Sequence, residues 1–511
     1  MTRSRRATFT YASMMFFTLV TTITGLFLTP WLIHWLGKER YGIVRVLIEY
    51  SGYLALLDLG LGGALSPLLS RALADRDARS LRAVMAAGLR LYAGVTLAIL
   101  AVGLSVTPWI PRLVRVNAGL DHDVRWAWAI TVFGFLPLAL APFRALVDAE
   151  QRGYVVNNLY TFQALLTAAL SLAMAYFGLG VTGQSLAIVL GIATITLSLA
   201  TITLRRHPDS FQGLREPPDP NARASLRKLS GPTLAVNIGS RISLLSDSII
   251  IGLFLGGVKV TTLFVTQRLA VLAQVQLQGI GSSSWAALAE LHTRGQHETF
   301  NRRLVELTRL IAILGMTVLA PIVAFNRQFV GLWLGPGQDG GTLVVLIAAI
   351  NAMLIAVTSL WLWCFTATGQ VGRIVRPILV SSAINVVASL VLTRTFHSIA
   401  GPLLGTLVAY LGVNIWCFPV LLHRYYQVSI RELAWAVAAP LLVGVPYAAG
   451  LWWLALGRPA PGWIGLAAEM SGSAALFLAF SAAVLLDPTD RAIWRARLAG
   501  LLPHRPGKVI E

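Results

Sequence analysis

Nine charged side chains stand inside stretches that are otherwise apolar: Arg45, Glu49, Asp58, Arg90, Arg241, Asp247, Arg268, Glu306 and Arg309. A charge at the centre of a bilayer costs about 2.5–3.5 kcal/mol or more, so such residues face a cavity or a partner. Arginine in that setting suits anion capture, because a guanidinium grips phosphate through two parallel hydrogen bonds. Arg241 is the strongest candidate. It falls about eleven residues into its stretch, roughly 16 Å along a helix and near the midplane. Asn237, Arg241 and Ser248 share one helical face. A structural pair between Arg241 and Asp247 or Asp58 is the competing reading.

Other polar positions extend the set. Gln267, Gln274 and Gln278 share a face and could meet sugar hydroxyls in a hydrated lumen; hydrogen bonding to a neighbouring helix is the plainer role. Arg90 and Arg309 lie one or two turns from the inner surface, where they either snorkel to headgroups or capture a pyrophosphate at the entrance. Asp247 and Asp58 are candidates for ion coupling. Glu49 stands 219 residues before Arg268 and four after Arg45, so it could pair with either base. No catalytic or metal constellation is expected. Cys364 and Cys417 sit in apolar runs, and His292 and His297 lie in a loop. No cofactor is implied.

These residues need elements that cross a membrane. Of 511 residues, 56% are hydrophobic and 12% charged, half the roughly 25% of a soluble domain. Mean hydropathy is +0.70. A soluble enzyme, a disordered chain and a secreted disulfide scaffold are excluded. Apolar runs of about 20 residues give about fourteen transmembrane helices in an all-α polytopic chain, among them 43–70, 125–148, 230–255 and 262–289. The net charge of +19 suggests nucleic acid in a soluble protein. Here 27 Lys and Arg fall on one set of connections and tails and 9 on the other, which is the bias of cytoplasmic loops. Both termini are therefore expected in the cytoplasm, with no nucleic-acid partner.

The halves repeat. LGKERYG from Leu36 matches LGGVKVT from Leu255, Gly60-Leu61-Gly62 matches Gly279-Ile280-Gly281, and Arg90 matches Arg309, all at an offset of 219. The offset covers six spans, so the copies run in the same direction. Parallel repeats of this kind surround a substrate site in transporters. The organisation expected is a six-helix lobe (1–206), a cytoplasmic linker (207–229), a second six-helix lobe (230–425), two extra helices (426–487) and a cytoplasmic tail (488–511).

The segments LGKERYGIVRV, LLDLGLGGALSPLLSRALADRD and RISLLSDSIIIGLFLGG resemble the polysaccharide (oligosaccharide) flippases of the multidrug/oligosaccharidyl-lipid/polysaccharide exporter superfamily. The resemblance implies two six-helix lobes around a central cavity in a bacterial plasma membrane. It also implies a lipid-linked oligosaccharide substrate, on undecaprenyl pyrophosphate, flipped from the inner to the outer leaflet. Membrane lipids, a polysaccharide polymerase and glycosyltransferases of the same pathway would be its partners. Spans 1, 2, 7 and 8 would line the cavity, including Arg45, Glu49, Arg241 and Arg268. Two other classes compete. A cation-coupled drug exporter often carries an acid in its first span, and this first span has none. A membrane glycosyltransferase or ligase needs large outer loops, which are absent from the reading above.

Overall fold

Apolar runs without β-branched alternation fold as helices, and no strand occurs among the described residues. The computed structural model describes residues 3–58, 61–75, 77–208, 239, 246–459 and 461–485. Arg3–Leu54 has two arms, α1 (3–36) and α2 (38–54), separated at Gly37. Then come α3 (Leu61–Ala74), α4 (Ala78–Val106), α5 (Asp121–Phe133), α6 (Ala141–Ala149), α7 (Gly153–Tyr176) and α8 (Gly180–Arg206). The second half holds α9 (Ser246–Leu255), then α10 (Gly257–Thr266), α11 (Arg268–Thr293), α12 (His297–Leu334), α13 (Thr342–Ala367) and α14 (Val375–Phe396). The chain ends with α15 (Gly401–Ala409), α16 (Ile415–Tyr426), α17 (Ile430–Ala455) and α18 (Gly462–Val484).

Eleven helices among the described residues are long and apolar enough to cross a membrane, against the fourteen expected. The difference has three sources. The first two expected spans form one continuous stretch, Phe9–Asp58. Of the expected 230–255 only α9 is described at helical length. α11 is long enough at 26 residues, but Gln274, Gln276, Gln278 and Ser282–Ser284 lower its hydropathy.

Two expected spans are also interrupted. The 43–70 run ends as helix at Leu54, turns through a 3-10 segment, Ala55–Asp58, and resumes at Leu61. The 125–148 run breaks into α5, a 3-10 segment (Leu136–Leu140) and α6. Gly134 and Pro137 interrupt the ladder there, because proline removes a backbone donor and clashes with the preceding turn. Pro142 then occupies the first turn of α6, where no donor is needed.

The repeat is visible in backbone geometry. Gly37 and Gly256 both have positive φ, 77° and 82°, and each separates two helices. A Cβ on either would meet no neighbour, so the demand is conformational and glycine meets it without strain. Gly178 and His397, again 219 apart, both have positive φ. Beside the first pair, Trp31, Trp35, Tyr176 and Phe177 stack in a chain, and Trp31, Tyr176 and Phe177 are exposed. Exposed Trp and Tyr mark a membrane–water interface.

The chain forms two compact units, Met1–Val265 with Val371–Val413, and Thr266–Gln370 with Asn414–Glu511. In the first, Leu65, Leu69, Met85, Phe143 and Leu146 are fully buried together. Helices approach closely through small residues, as bilayer packing requires: Gly401 and Gly405 of α15 lie against Thr393 and Ser389 of α14. Asn385 there donates to Thr406 at 2.8 Å. In the second unit, the Trp361 indole donates to Thr308 at 3.1 Å, and Asn326 donates to the Thr266 carbonyl at 3.0 Å. His292, His297, Phe300 and Tyr426 form an aromatic cluster.

One tie predicts a measurable cost. Asp123 of α5 accepts from the Val181 and Thr182 backbone N–H groups, each at 2.9 Å, and from the Thr182 hydroxyl at 2.6 Å. It thus satisfies first-turn donors of α8 from another helix. Asp123→Ala is expected to lower stability by about 1–2 kcal/mol, and Asp123→Asn to recover part of that, read as unfolding temperature in detergent.

Candidate functional site

The site is assembled along one face of α2. Positions 38, 42, 45–46 and 49 recur at helical spacing, and within the first unit this face runs antiparallel along α9 and across the start of α10. At the Gly37 end, Thr261 donates to the Lys38 carbonyl at 2.6 Å. One turn on, a Cβ at Gly42 would overlap the Gly257 carbonyl oxygen and sit 2.6 Å from its carbon. Gly257 in turn lies so close to Glu39 that a Cβ there would be 2.8 Å from that carbonyl oxygen. Further along, Val46 packs on Gly252. The Glu49 carboxylate then accepts from the Ser248 hydroxyl at 2.5 Å and the Ser248 N–H at 3.1 Å.

The contact is self-complementary in the repeat. Residue 42 meets 257, which is 38 plus 219; residue 38 meets 261, which is 42 plus 219. The same patch used from both sides is the signature of a two-fold interface, here an internal pseudo-two-fold. Around it, the Tyr41 and Phe264 rings meet at a tilt with centroids 5.8 Å apart, and the Arg45 guanidinium sits 4.1 Å above Phe264, a favourable cation–π geometry. Two side chains flank the crossing. Asn117 donates to Glu39 at 2.8 Å, and Arg115 donates to the Phe254 carbonyl at 2.9 Å.

The remaining candidates are distributed. Arg241 and Asn237 lie outside the described residues. Asp247 is adjacent to Ser248 on α9 and therefore close to Glu49. Asp58 ends the 3-10 turn after α2 and bonds Tyr92 of α4. Arg90 lies in α4 of the first unit and Arg309 in α12 of the second. Arg309 shares its helix with an Arg303–Glu306 pair at 2.5 Å. Gln267 precedes α11 and Arg268 opens it. Gln278 donates to Ser359 of α13 at 2.9 Å, which is the helix-to-helix role. Gln274 is half-buried on the same helix.

Sequence reasoning missed Gly42, Gly257 and Thr261 as contact positions between the repeats. The signal was present: the matched segments LGKERYG and LGGVKVT end on Gly42 and Thr261, the two residues that make the reciprocal contact. Among the described residues no three His, Cys, Asp or Glu side chains gather as a metal set. What the arrangement can do is physical: it brings equivalent ends of two repeats into close contact through small residues and ties them with one carboxylate.

The chain is a multi-pass membrane protein with the flippase and multidrug-exporter fold. It is similar to the lipid II flippase MurJ in its inward closed conformation, at 11% identity and a TM-score of 0.73, covering 93% of this chain and 99% of that one. It is also similar to an inward-facing multidrug resistance MATE transporter of the MOP superfamily, at 15% identity and a TM-score of 0.60, covering 84% and 95%. A MOP superfamily transporter from Pyrococcus furiosus is similar at 15% identity and a TM-score of 0.58, covering 88% and 97%. At these identities the likeness is one of fold. No curated protein matches the sequence. The family described as "Polysaccharide biosynthesis protein" matches over residues 10–292, more than half of the chain. The chain belongs to the polysaccharide biosynthesis protein family.

Proposed function

We propose that the protein flips a lipid-linked oligosaccharide across a bacterial plasma membrane by alternating access. The observation that carries this reading is the reciprocal Gly42–Gly257 crossing: matching ends of two parallel repeats meet through a small-residue contact, and parallel repeats of this kind surround a substrate site in transporters. Membership of a polysaccharide biosynthesis family and the fold shared with a lipid II flippase both support a lipid-linked sugar substrate. The lobes are 1–206 and 230–425, joined by 207–229, with 426–487 as two further helices and both termini cytoplasmic. Undecaprenyl pyrophosphate is the carrier, and a polymerase and glycosyltransferases act on the same chain of intermediates. A cation-coupled drug exporter is the second reading. It is disfavoured because the first span, 10–35, has no acidic residue.

In this reading Arg241 binds the pyrophosphate, with Asn237 beside it. Arg268, Gln267 and Gln274 meet the sugar, while Gln278 holds α13; Arg90 and Arg309 receive the headgroup at the entrance, and Asp247 or Asp58 couples an ion. The test is polysaccharide export by variants in a strain lacking the protein. Arg241→Ala is expected to abolish export at near-normal protein level. Arg241→Lys should restore little, because an ammonium lacks the bidentate fork. Full export by Arg241→Ala would remove Arg241 from the site. Drug efflux without polysaccharide export would favour the second reading.

A further inference from the structure

A slot of about 270 Å³ lies wholly within the first unit, between α8 and the interrupted α5–α6 segment. Two contacts fix its direction. A Cβ on Gly134 would come within 2.5 Å of Val189, and Thr203 reaches the Phe143 carbonyl. α6 and the 3-10 segment thus run parallel to α8, and the slot follows α8 from Ile188 to Leu199, roughly 16 Å along the helix axis. The break at Gly134–Pro137 opens this space. Non-helical backbone at membrane depth persists only where protein buries it or a cavity receives it.

The two ends differ. The walls are mostly apolar, with the hydroxyl side chains Ser51, Thr131 and Thr196 among them, and the only charge on them is Arg144, at the end near the α6–α7 turn. Its guanidinium donates to the Tyr160 hydroxyl, lies 5.1 Å over that ring, and faces Asp148 at 3.7 Å. The Arg144 side chain is half exposed, with a further edge for an outside acceptor. The same turn carries Arg152 and Glu150, with Arg206 and His207 against them. By the Lys and Arg bias this end lies at the cytoplasmic headgroups.

A chain-length apolar slot along the helix axis with one cation at headgroup level has the shape of a lipid. We infer that it holds one acyl chain of an anionic glycerophospholipid from the cytoplasmic leaflet, its phosphate on Arg144. Asp148 and Tyr160 already occupy part of the guanidinium. The remaining edge suits one phosphodiester charge, and Asp148 would repel the additional charge of a pyrophosphate or a terminal phosphate monoester. The site is separate from the transport pathway proposed above and shares with that reading only the expected topology.

The test uses the full-length protein in detergent, stripped of lipid. Phosphatidylglycerol, phosphatidylcholine, a polyprenyl monophosphate and inorganic phosphate are each added and followed by native mass spectrometry and unfolding temperature. Phosphatidylglycerol is expected to be retained as one copy and to raise the unfolding temperature, and the other three to do neither. Arg144→Gln should weaken retention about tenfold, the loss of roughly one charge-assisted contact, while Arg144→Lys keeps most of it. Thr196→Trp, which fills the slot from α8, should abolish it. If Arg144→Gln fails to fold, Thr196→Trp and the lipid comparison decide. Equal retention of phosphatidylcholine overturns the proposal. So does equal stabilisation by phosphate alone, preference for the polyprenyl phosphate, or phosphatidylglycerol binding that survives both Arg144→Gln and Thr196→Trp.

Discussion

Gly42→Ala is expected to reduce polysaccharide export by about 5- to 150-fold while leaving the protein inserted. The added Cβ would overlap the Gly257 carbonyl oxygen and lie 2.6 Å from its carbon and 2.9 Å from the Thr261 hydroxyl. Two of these three atoms are backbone, so no rotamer relieves the clash. Overpacking of this kind costs about 1–3 kcal/mol, and a two-state element loses the corresponding population of its closed form, the 5- to 150-fold just given. The strain acts only when α2 and α10 meet, so an open form is spared. Lys38→Cys, in a background without Cys364 and Cys417, reports which form is present. An impermeant maleimide should label it faster when Gly42→Ala is added. Gly372→Ala is the control, because a Cβ there meets nothing within 4 Å. Unchanged labelling and export with Gly42→Ala would mean that the crossing does not open and close during transport.

The helical character and its repeat were legible because membrane physics leaves few options. With no water to satisfy backbone groups, a long apolar run must be a helix. The match of LGKERYG to LGGVKVT was legible as sequence, and its first two letters carry the structural point: Leu-Gly places glycine where only positive φ turns one helix into the next, at Gly37 and Gly256. The interruption at 134–141 was hidden because hydropathy averages over a window, and Leu136–Leu140 is as apolar in a 3-10 turn as in a helix. The Gly42–Gly257 crossing was hidden for a different reason. A glycine in a helix signals close approach without saying to what. The partner is fixed by tertiary contact, which here follows the repeat. Glu49 was singled out from its charge, yet its partner, Ser248, was read as a member of the Arg241 stripe. Periodicity places Ser248 on a helical face but cannot say which neighbouring helix that face meets.

Glu49 is the second position with a large expected effect, and three substitutions separate what it does. Its carboxylate holds two donors of α9, the Ser248 hydroxyl at 2.5 Å and backbone N–H at 3.1 Å. Glu49→Ala removes both acceptors and leaves the donors of buried Ser248 without partners, a cost of about 1–3 kcal/mol on the closed arrangement. Export should fall in proportion, by at least about fivefold. Glu49→Arg should be worse, because it sets a cation against the same donors within one helical turn of Arg45. Glu49→Gln is the discriminating case. Its amide oxygen can accept from the Ser248 N–H while its amide nitrogen donates to the Ser248 hydroxyl, which accepts as well as donates, so a residue that only ties α2 to α9 tolerates the exchange. Export by Glu49→Gln is expected to stay above half of the parent level, with Ser248→Ala intermediate between Gln and Ala. Should Glu49→Gln be as defective as Glu49→Ala, the tie is insufficient and the carboxylate must carry a charge or a proton through the cycle. Its neighbour Asp247 then becomes the partner to test. A charge exchange with the repeat-related position, Glu49→Arg with Arg268→Glu, addresses the remaining role. If the double variant exports better than either single one, the two residues pair at some stage of transport even though Ser248 holds the carboxylate in this one.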